Sequence, residues 1–154
     1  MIKFINHLQS KAKKMKTWVH ILVSSVIAYF AYPIAGWKVL LIFVGGVMID
    51  IDHYLWYIYD NKKFNMFECY NHFTYEAEKN GFKDVAGILM VFHTVDFLLA
   101  MVIISFFSQY ALLFTIGLLP HYILDLIFIL RVPKRFIVNH SIIYWVYKNK
   151  IQKI

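Results

Sequence analysis

The sequence lacks most of the residues on which redox chemistry or covalent catalysis would depend. It has a single cysteine, Cys69, among 154 residues, so an intrachain disulfide and a thiolate metal cluster are both excluded. No serine lies in a Gly-x-Ser-x-Gly motif, and no other nucleophile stands beside the ionisable residues discussed below. The chain also has no internal repeat, no low-complexity tract and no polar stretch long enough for a soluble lobe.

Apolar residues dominate what is present. They make up 60% of the chain, with a mean hydropathy of +0.57, against roughly 45–50% in soluble domains. Several apolar runs approach the length of about 20 residues that spans a bilayer core. The first run, residues 18–36, exceeds the roughly 7–15 residues of a signal-peptide core and precedes no convincing cleavage site. We therefore expect an integral membrane protein of one domain, with this run kept as a permanent first helix.

The apolar runs predict an all-α integral membrane bundle of four transmembrane helices. Lipid offers no hydrogen-bond partner to the backbone, which favours helices over strands. Very short joints after the first and third spans predict tight hairpins. The predicted spans are residues 17–35, 38–59, 84–107 and 109–130.

Two further segments have amphipathic patterns. In the middle loop, residues 61–83, aromatic residues recur three apart at Phe64, Phe67, Tyr70 and Phe73, which predicts an interfacial helix in the headgroup layer. The C-terminal tail, residues 131–154, has a similar pattern with basic flanks. Ordinary packing on one end of the bundle is an equally open alternative for both.

The basic residues predict the orientation. The net charge is +7, but 15 of the 16 lysines and arginines flank the predicted spans on one side, and only Lys38 lies on the other. Positive charge marks the cytoplasmic side and contacts lipid headgroups. The sequence therefore predicts that both termini and the middle loop are cytoplasmic, and that nucleic acid is not a partner.

Every predicted span carries ionisable residues. Asp50 and His53, and His93 and Asp96, have an i,i+3 spacing. His121 and Asp125 have an i,i+4 spacing, so each of the three pairs is expected on one helix face. Asp52 is turned about 200° from Asp50 on an ideal helix, so it faces elsewhere or the helix is locally broken. The full set is His20 in the first span, Asp50, Asp52 and His53 in the second, His93 and Asp96 in the third, and His121 and Asp125 in the fourth.

All of these residues fall in the cytoplasmic halves of their spans. One aspartate at a helix centre costs about 2.5–3.5 kcal/mol, so four would cost on the order of 10 kcal/mol unless they satisfy one another. A divalent cation does so, because it neutralises carboxylates and binds neutral imidazole. Mixed His and Asp ligation without sulfur suits zinc, with manganese or iron as alternatives, and eight residues are enough for one or two ions. Hydrogen-bonded structural pairs are the competing interpretation, above all for His20.

Three short motifs resemble those of the bacterial predicted membrane-bound metal-dependent hydrolases, which are inner-membrane proteins of about four helices. The motifs are Gly46-Val-Met-Ile-Asp50-Ile-Asp52-His53, His93-Thr-Val-Asp96 and Gly117-Leu-Leu-Pro-His121-Tyr-Ile-Leu-Asp125, preceded by His20. Two positions depart from the family's pattern. Ile49 stands where proline is frequent, and Thr94 and Asp96 stand where arginine and a second histidine are frequent.

The resemblance and the residues together predict a hydrolase that acts on a lipid-like ester, phosphoester or amide of the cytoplasmic leaflet through metal-activated water. Asp52 or Asp96 is the expected general base. The alternatives are a transporter of divalent metal or protons and a metal-stabilised scaffold without catalysis. Membrane lipids are expected partners, and a homo-oligomer is an open possibility. The expected metal ligands are His20, Asp50, His53, His93, His121 and Asp125, whereas His7 and His72 are expected in solvent and His140 is a candidate for the cytoplasmic mouth.

Overall fold

The computed structural model describes residues 17–73, 88–131 and 141–151. Within these ranges every regular element is helical and no strand occurs, which confirms the all-α prediction. His7, His140, the first residues of the predicted third span and most of the tail before residue 141 lie outside the described residues. The α-helices are α1 Thr17–Ala35, α2 Leu40–Val47, α3 Ile51–Asn61, α4 Met66–Asn71, α5 Val95–Ser105, α6 Gln109–Arg131 and α7 Ile142–Val146, with 3-10 turns at Gly36–Val39, Met48–Asp50 and Val91–His93 and a π turn at Tyr147–Ile151.

The chain reverses direction at Gly36, between α1 and α2. Gly36 has a φ of +55°, a left-handed conformation that is open to glycine because it has no Cβ. Beyond the turn, α2 packs along α1, and Gly46 lies directly against the side chain of Ser24. The tight hairpin expected between the first two apolar runs is therefore present.

The predicted second span, residues 38–59, is not one continuous helix. Helix α2 ends at Val47, whose φ of −133° is far from helical, and a 3-10 turn leads to α3 at Ile51. Two consecutive glycines, Gly45 and Gly46, lower the helix propensity at this point. In the 3-10 turn, successive side chains are rotated about the helix axis by about 120° instead of the roughly 100° of an α-helix. The local helix break considered for Asp52 is therefore the correct alternative.

The predicted third span, residues 84–107, is helical only in its second half among the described residues. Helix α5 begins at Val95, where Thr94 is extended and its hydroxyl accepts a hydrogen bond from the amide of Phe97. At 1.5 Å per residue α5 is about 16 Å long, roughly half of a bilayer core. It pairs with α6 as expected for a hairpin, and the Thr115 hydroxyl donates to the Met101 carbonyl at 3.2 Å.

Two stretches of the described chain are long and apolar enough to cross a membrane, Thr17–Asn61 and Gln109–Ile127. This is fewer than the four predicted spans. The first stretch, however, contains the reversal at Gly36, so it consists of two apolar segments that run in opposite directions.

The short helices lie at the ends of the bundle. Asn65 caps α4 by accepting hydrogen bonds from the amides of Phe67 and Glu68, and the Tyr57 hydroxyl donates to Glu68 at 3.3 Å. Helix α4 therefore packs against α3, and it begins two residues after Phe64, the first residue of the aromatic series. Ser141 caps α7 through the amide of Tyr144.

The tips of the two hairpins meet, since the Lys38 ammonium donates to the Gln109 side chain at 3.1 Å. From Lys38 to Asp50, and from Gln109 to His121, the chain advances twelve residues. At 1.5 Å per residue, both polar residues lie about 18 Å from the tips. The fold thus brings the ionisable residues of its long helices to one level, in the half of the bundle away from the hairpin tips.

Glycines allow α2 and α6 to pack closely. A Cβ on Gly117 would overlap the carbonyl of Ile42, and a Cβ on Gly45 would overlap the carbonyl of Phe114. Ile42 and Leu118, on either side of this contact, are fully buried. Small residues at a helix crossing let the backbones approach, which is how apolar helices gain packing energy without a hydrophobic driving force.

A Gly117→Ala substitution is expected to destabilise the protein by about 1–3 kcal/mol or more, the range for overpacking a close contact. The neighbouring atom belongs to a helix backbone and cannot rotate away. Thermal unfolding of the detergent-solubilised protein, followed by circular dichroism, measures the effect. Leu40→Ala, on the exposed side of α2, is the control and is expected to change the midpoint little. Equal midpoints for Gly117→Ala and the unmodified protein would contradict the close crossing.

Candidate metal centre

Four side-chain atoms from three parts of the chain converge on one point. His93 Nε2 and His121 Nε2 are 3.2 Å apart. Asp50 Oδ1 lies 3.3 Å from His93 Nε2 and 3.5 Å from His121 Nε2. Asp125 Oδ2 lies 3.6 Å and 3.2 Å from the same two nitrogens. We call these four residues the central cluster.

The hydrogen bonds of the two histidines fix their tautomers. His121 Nδ1 is 2.9 Å from the carbonyl oxygen of Gly46, which can only accept, so Nδ1 carries the proton. His93 Nδ1 is 2.9 Å from Asp52 Oδ2, and an ionised carboxylate also only accepts. Both neutral imidazoles therefore keep a lone pair on Nε2 and direct it into the central cluster.

With the imidazoles in their neutral form, the central cluster thus brings together four electron-pair donors, two nitrogens and two carboxylate oxygens. A proton on one imidazole would satisfy one contact, whereas a divalent cation would satisfy all four atoms. Zinc bonds of about 2.0–2.1 Å in a tetrahedral site place neighbouring ligand atoms about 3.3–3.4 Å apart. The five distances that join a histidine nitrogen to another ligand atom, 3.2–3.6 Å, are close to that spacing. The His and Asp residues can therefore hold a metal ion.

The local structure explains how these residues meet. His121 and Asp125 are four residues apart on α6 and share a face, as predicted. Asp50 ends the 3-10 turn after α2, and Asp52 lies in the first turn of α3. The break between these helices turns both carboxylates to the same side, and His93 reaches them from the turn before α5.

Asp52 lies behind the central cluster and holds it in place. One carboxylate oxygen accepts from His93 Nδ1 and from the amide of Phe92 at 3.2 Å, and the other accepts from His53 Nδ1 at 2.8 Å. Asp52 is buried and already has three donors. Carboxylates in this position fix the tautomer and orientation of metal-binding histidines.

His53 and His20 flank the central cluster on opposite sides. His53 Nδ1 is 3.9 Å from Asp50 Oδ1, with its proton directed to Asp52. The His20 ring stacks on His121 with centroids 4.1 Å apart, and its Nε2 is 3.6 Å from Asp125 Oδ1. Two groups of three residues each offer ligand atoms that lie within 4.8 Å of one another. The first group is His20, His121 and Asp125, and the second is Asp50, His53 and His93.

The structure does not bring Asp96 into the central cluster. The expected pairing of His93 and Asp96 on one helix face is wrong, because Thr94 is extended and α5 begins only at Val95. The Asp96 carboxylate instead accepts from the amide of Ile142 at 2.5 Å, at the start of α7.

His72 and Cys69 also lie outside the central cluster. His72 is half-buried and stacks on Trp56, with centroids 6.0 Å apart, so the prediction of a solvated residue is wrong. Cys69 is buried, and burial raises the pKa of its thiol to about 11. A thiol with such a pKa carries too little thiolate at neutral pH to act as a nucleophile.

Two supporting groups gave no signal in the sequence. The Gly46 carbonyl orients His121, and the Tyr122 hydroxyl lies 2.8 Å from the carbonyl of Phe92 and 2.7 Å from that of Thr94. Tyr122 thereby holds the non-helical segment that carries His93. The role of a backbone carbonyl does not depend on the residue type, so nothing in the sequence indicated Gly46. For Tyr122, the only indication was its position next to His121.

The centre is closed on one side and open on the other. The side chains of His121 and His20 are 0% and 3% exposed, whereas those of Asp50 and His53 are 34% and 32% exposed. Access is therefore from the side of α3.

The chain matches no protein-family model, no curated protein and no solved structure.

Proposed function

We propose that this chain is a membrane-embedded, metal-dependent hydrolase that acts on a lipid-like ester, phosphoester or amide from the cytoplasmic leaflet. The observation that carries the proposal is the convergence of four electron-pair donors, with their histidine tautomers already fixed, at a point open on one side. The expected ion is zinc, with manganese or iron as alternatives. The likeness of the sequence motifs to the membrane-bound metal-dependent hydrolases agrees with this function.

The outer surface supports a membrane location. Large apolar side chains on the outside of the helices remain mostly exposed, among them Phe30 at 73%, Ile34 at 91% and Phe107 at 87%. Soluble proteins rarely expose contiguous apolar surface on this scale. We propose that lipid covers it and that the four apolar runs form one bundle in a bacterial inner membrane, with the hairpin tips on the outer side.

The open side favours catalysis over a purely structural ion. Structural zinc sites are closed by four protein ligands, whereas catalytic sites keep a position for water or substrate. Here four side chains surround the ion, so water would bind as a fifth ligand, for which the exposed edge of Asp50 leaves room. A bound divalent cation would lower the pKa of a water ligand to about 7 and so supply a nucleophile at neutral pH.

The chain's own residues have distinct roles in this proposal. Asp50, His93, His121 and Asp125 hold the ion, and Asp52 fixes the orientation of His93 and His53. Because His53 donates its Nδ1 proton to Asp52, its Nε2 is free to take a proton from water at the open side. In this proposal His53 is the general base, and Asp52, one of the two bases expected from the sequence, acts through it.

The same geometry argues against the transport alternative. Between the central cluster and the hairpin tips, α1, α2, α5 and α6 carry no ionisable side chain except tyrosine. A charge crossing that half would meet an apolar wall at a cost of several kcal/mol. A lipid headgroup from the near leaflet would cross no such barrier.

Purified protein in oriented liposomes tests the proposal. A panel of lipid esters, phosphoesters and amides is expected to release product when zinc or manganese is added, and a chelator is expected to stop the release. Protease access to a C-terminal tag in the same vesicles reports which leaflet the open side faces. Metal uptake without hydrolysis of any lipid would favour transport, and tight metal binding with neither activity would leave the scaffold as the better conclusion.

A further inference from the structure

The buried imidazole of His20 makes no hydrogen bond within the described part of the chain. The residue is 3% exposed, and its Nδ1 has no partner there. Its Nε2 lies 3.6 Å from Asp125 Oδ1, beyond hydrogen-bond distance, and that oxygen is also buried without a partner. More than about 90% of buried polar groups are hydrogen-bonded, so the unpartnered Asp125 oxygen that faces this imidazole needs an explanation.

We propose that the site holds a second divalent ion between His20 Nε2 and Asp125 Oδ1, next to the ion of the central cluster. The separation of these two atoms, 3.6 Å, is close to the spacing of about 3.3–3.4 Å between neighbouring ligands of a tetrahedral zinc ion. An ion at this position gives a partner to the otherwise unsatisfied Asp125 oxygen and uses the His20 nitrogen that faces it. The inference rests on the metal site of the proposed function and extends it to two ions.

The stacking of His20 on His121 supplies the geometry for a pair of ions. The two rings are 4.1 Å apart and inclined by 30°, so they lie side by side. His121 Nε2 faces Asp125 Oδ2 at 3.2 Å, and His20 Nε2 faces Oδ1 of the same carboxylate. Asp125 therefore offers one oxygen to each ion.

The competing explanation is that His20 is only an aromatic packing residue. Packing would account for the stack on His121, but it gives no reason for a buried carboxylate oxygen to face an imidazole nitrogen without a hydrogen bond. The two explanations predict different numbers of bound ions. They also predict different effects when the ring is kept and its nitrogens are removed.

The test measures manganese bound to the full-length protein in detergent, after metal removal and dialysis against Mn²⁺. Elemental analysis is expected to find two ions per chain, and electron paramagnetic resonance is expected to show the signal of an exchange-coupled pair. His20→Phe keeps the stacked ring without its nitrogens, and it is expected to bind one ion with the spectrum of isolated Mn²⁺. His72→Phe, outside the site, is the matched control and should bind as many ions as the unmodified protein.

The outcomes separate the second ion from the proposed function. One uncoupled ion in the unmodified protein would overturn the second position and leave the central cluster intact. Equal ion numbers in His20→Phe and the unmodified protein would also overturn it. No bound ion at all would remove both the second position and the metal site on which it rests. The measurement on the unmodified protein does not depend on whether the variant folds.

Discussion

Replacement of His93 by alanine is expected to remove the metal from the central cluster and abolish hydrolysis. His93 Nε2 lies within 3.6 Å of each of the other three ligand atoms, so it contacts every member of the central cluster. Loss of a partner that only orients a ligand costs about 10–100-fold in metal affinity, and loss of the ligand itself should cost more than about 100-fold. Isothermal titration with zinc or manganese, with circular dichroism as a check on folding, measures the change.

His72→Ala is the control for this measurement. His72 is a half-buried histidine near the open side, but it stacks on Trp56 and lies outside the central cluster. Its replacement is expected to leave metal affinity within a few-fold of the unmodified protein. If both alanine variants bound metal as tightly as the unmodified protein, the central cluster would not be a metal site, and the hydrogen-bonded structural interpretation would replace it.

The helical content and the grouping of the polar residues were both predictable from the sequence. Long apolar runs leave few alternatives to helices, and spacings such as that of His121 and Asp125 follow directly from the α-helical period. The same periodic argument failed wherever the backbone leaves the α-helix. Met48–Asp50 and Val91–His93 are 3-10 turns, and residues 38–59 and 84–107 were therefore wrongly predicted as single helices.

The candidate site was predictable in its residue types but not in its division of roles. The energetic cost of burying a carboxylate pointed to Asp50, Asp52 and Asp125 alike. This cost depends on how deeply the carboxylate is buried and not on which groups it faces. Only the geometry separates Asp52, which accepts three hydrogen bonds, from the two carboxylates that face the histidine nitrogens. Asp96 was grouped with His93 by spacing alone, and the extended conformation of Thr94 breaks that relation.

Asp52→Asn is expected to weaken metal binding by about 10–100-fold and to lower activity in proportion. Asparagine keeps the size of the side chain but replaces one accepting oxygen with a donating amide. Asp52 accepts on both oxygens, from His53 Nδ1 on one and from His93 Nδ1 and the amide of Phe92 on the other. Whichever way the amide turns, the negative charge behind His93 is lost. Either His93 or His53 also loses its acceptor, and its proton is then free to move to Nε2, where it blocks the lone pair of the metal ligand or of the base.

Asp96→Asn is the matched control, because it makes the same chemical change at the other aspartate for which a catalytic role was predicted. Asp96 contacts the amide of Ile142 at the start of α7, so its replacement is expected to leave metal affinity unchanged. Titration of both variants with the same metal gives the comparison. An Asp52→Asn protein that binds metal normally but fails to hydrolyse substrate would mean that Asp52 acts through His53 alone, and the role assigned to it in orienting the metal ligand His93 would be wrong. If Asp96→Asn lost activity at full metal occupancy, a change in metal affinity could not explain the loss. Asp96 would then have the catalytic role expected from the sequence.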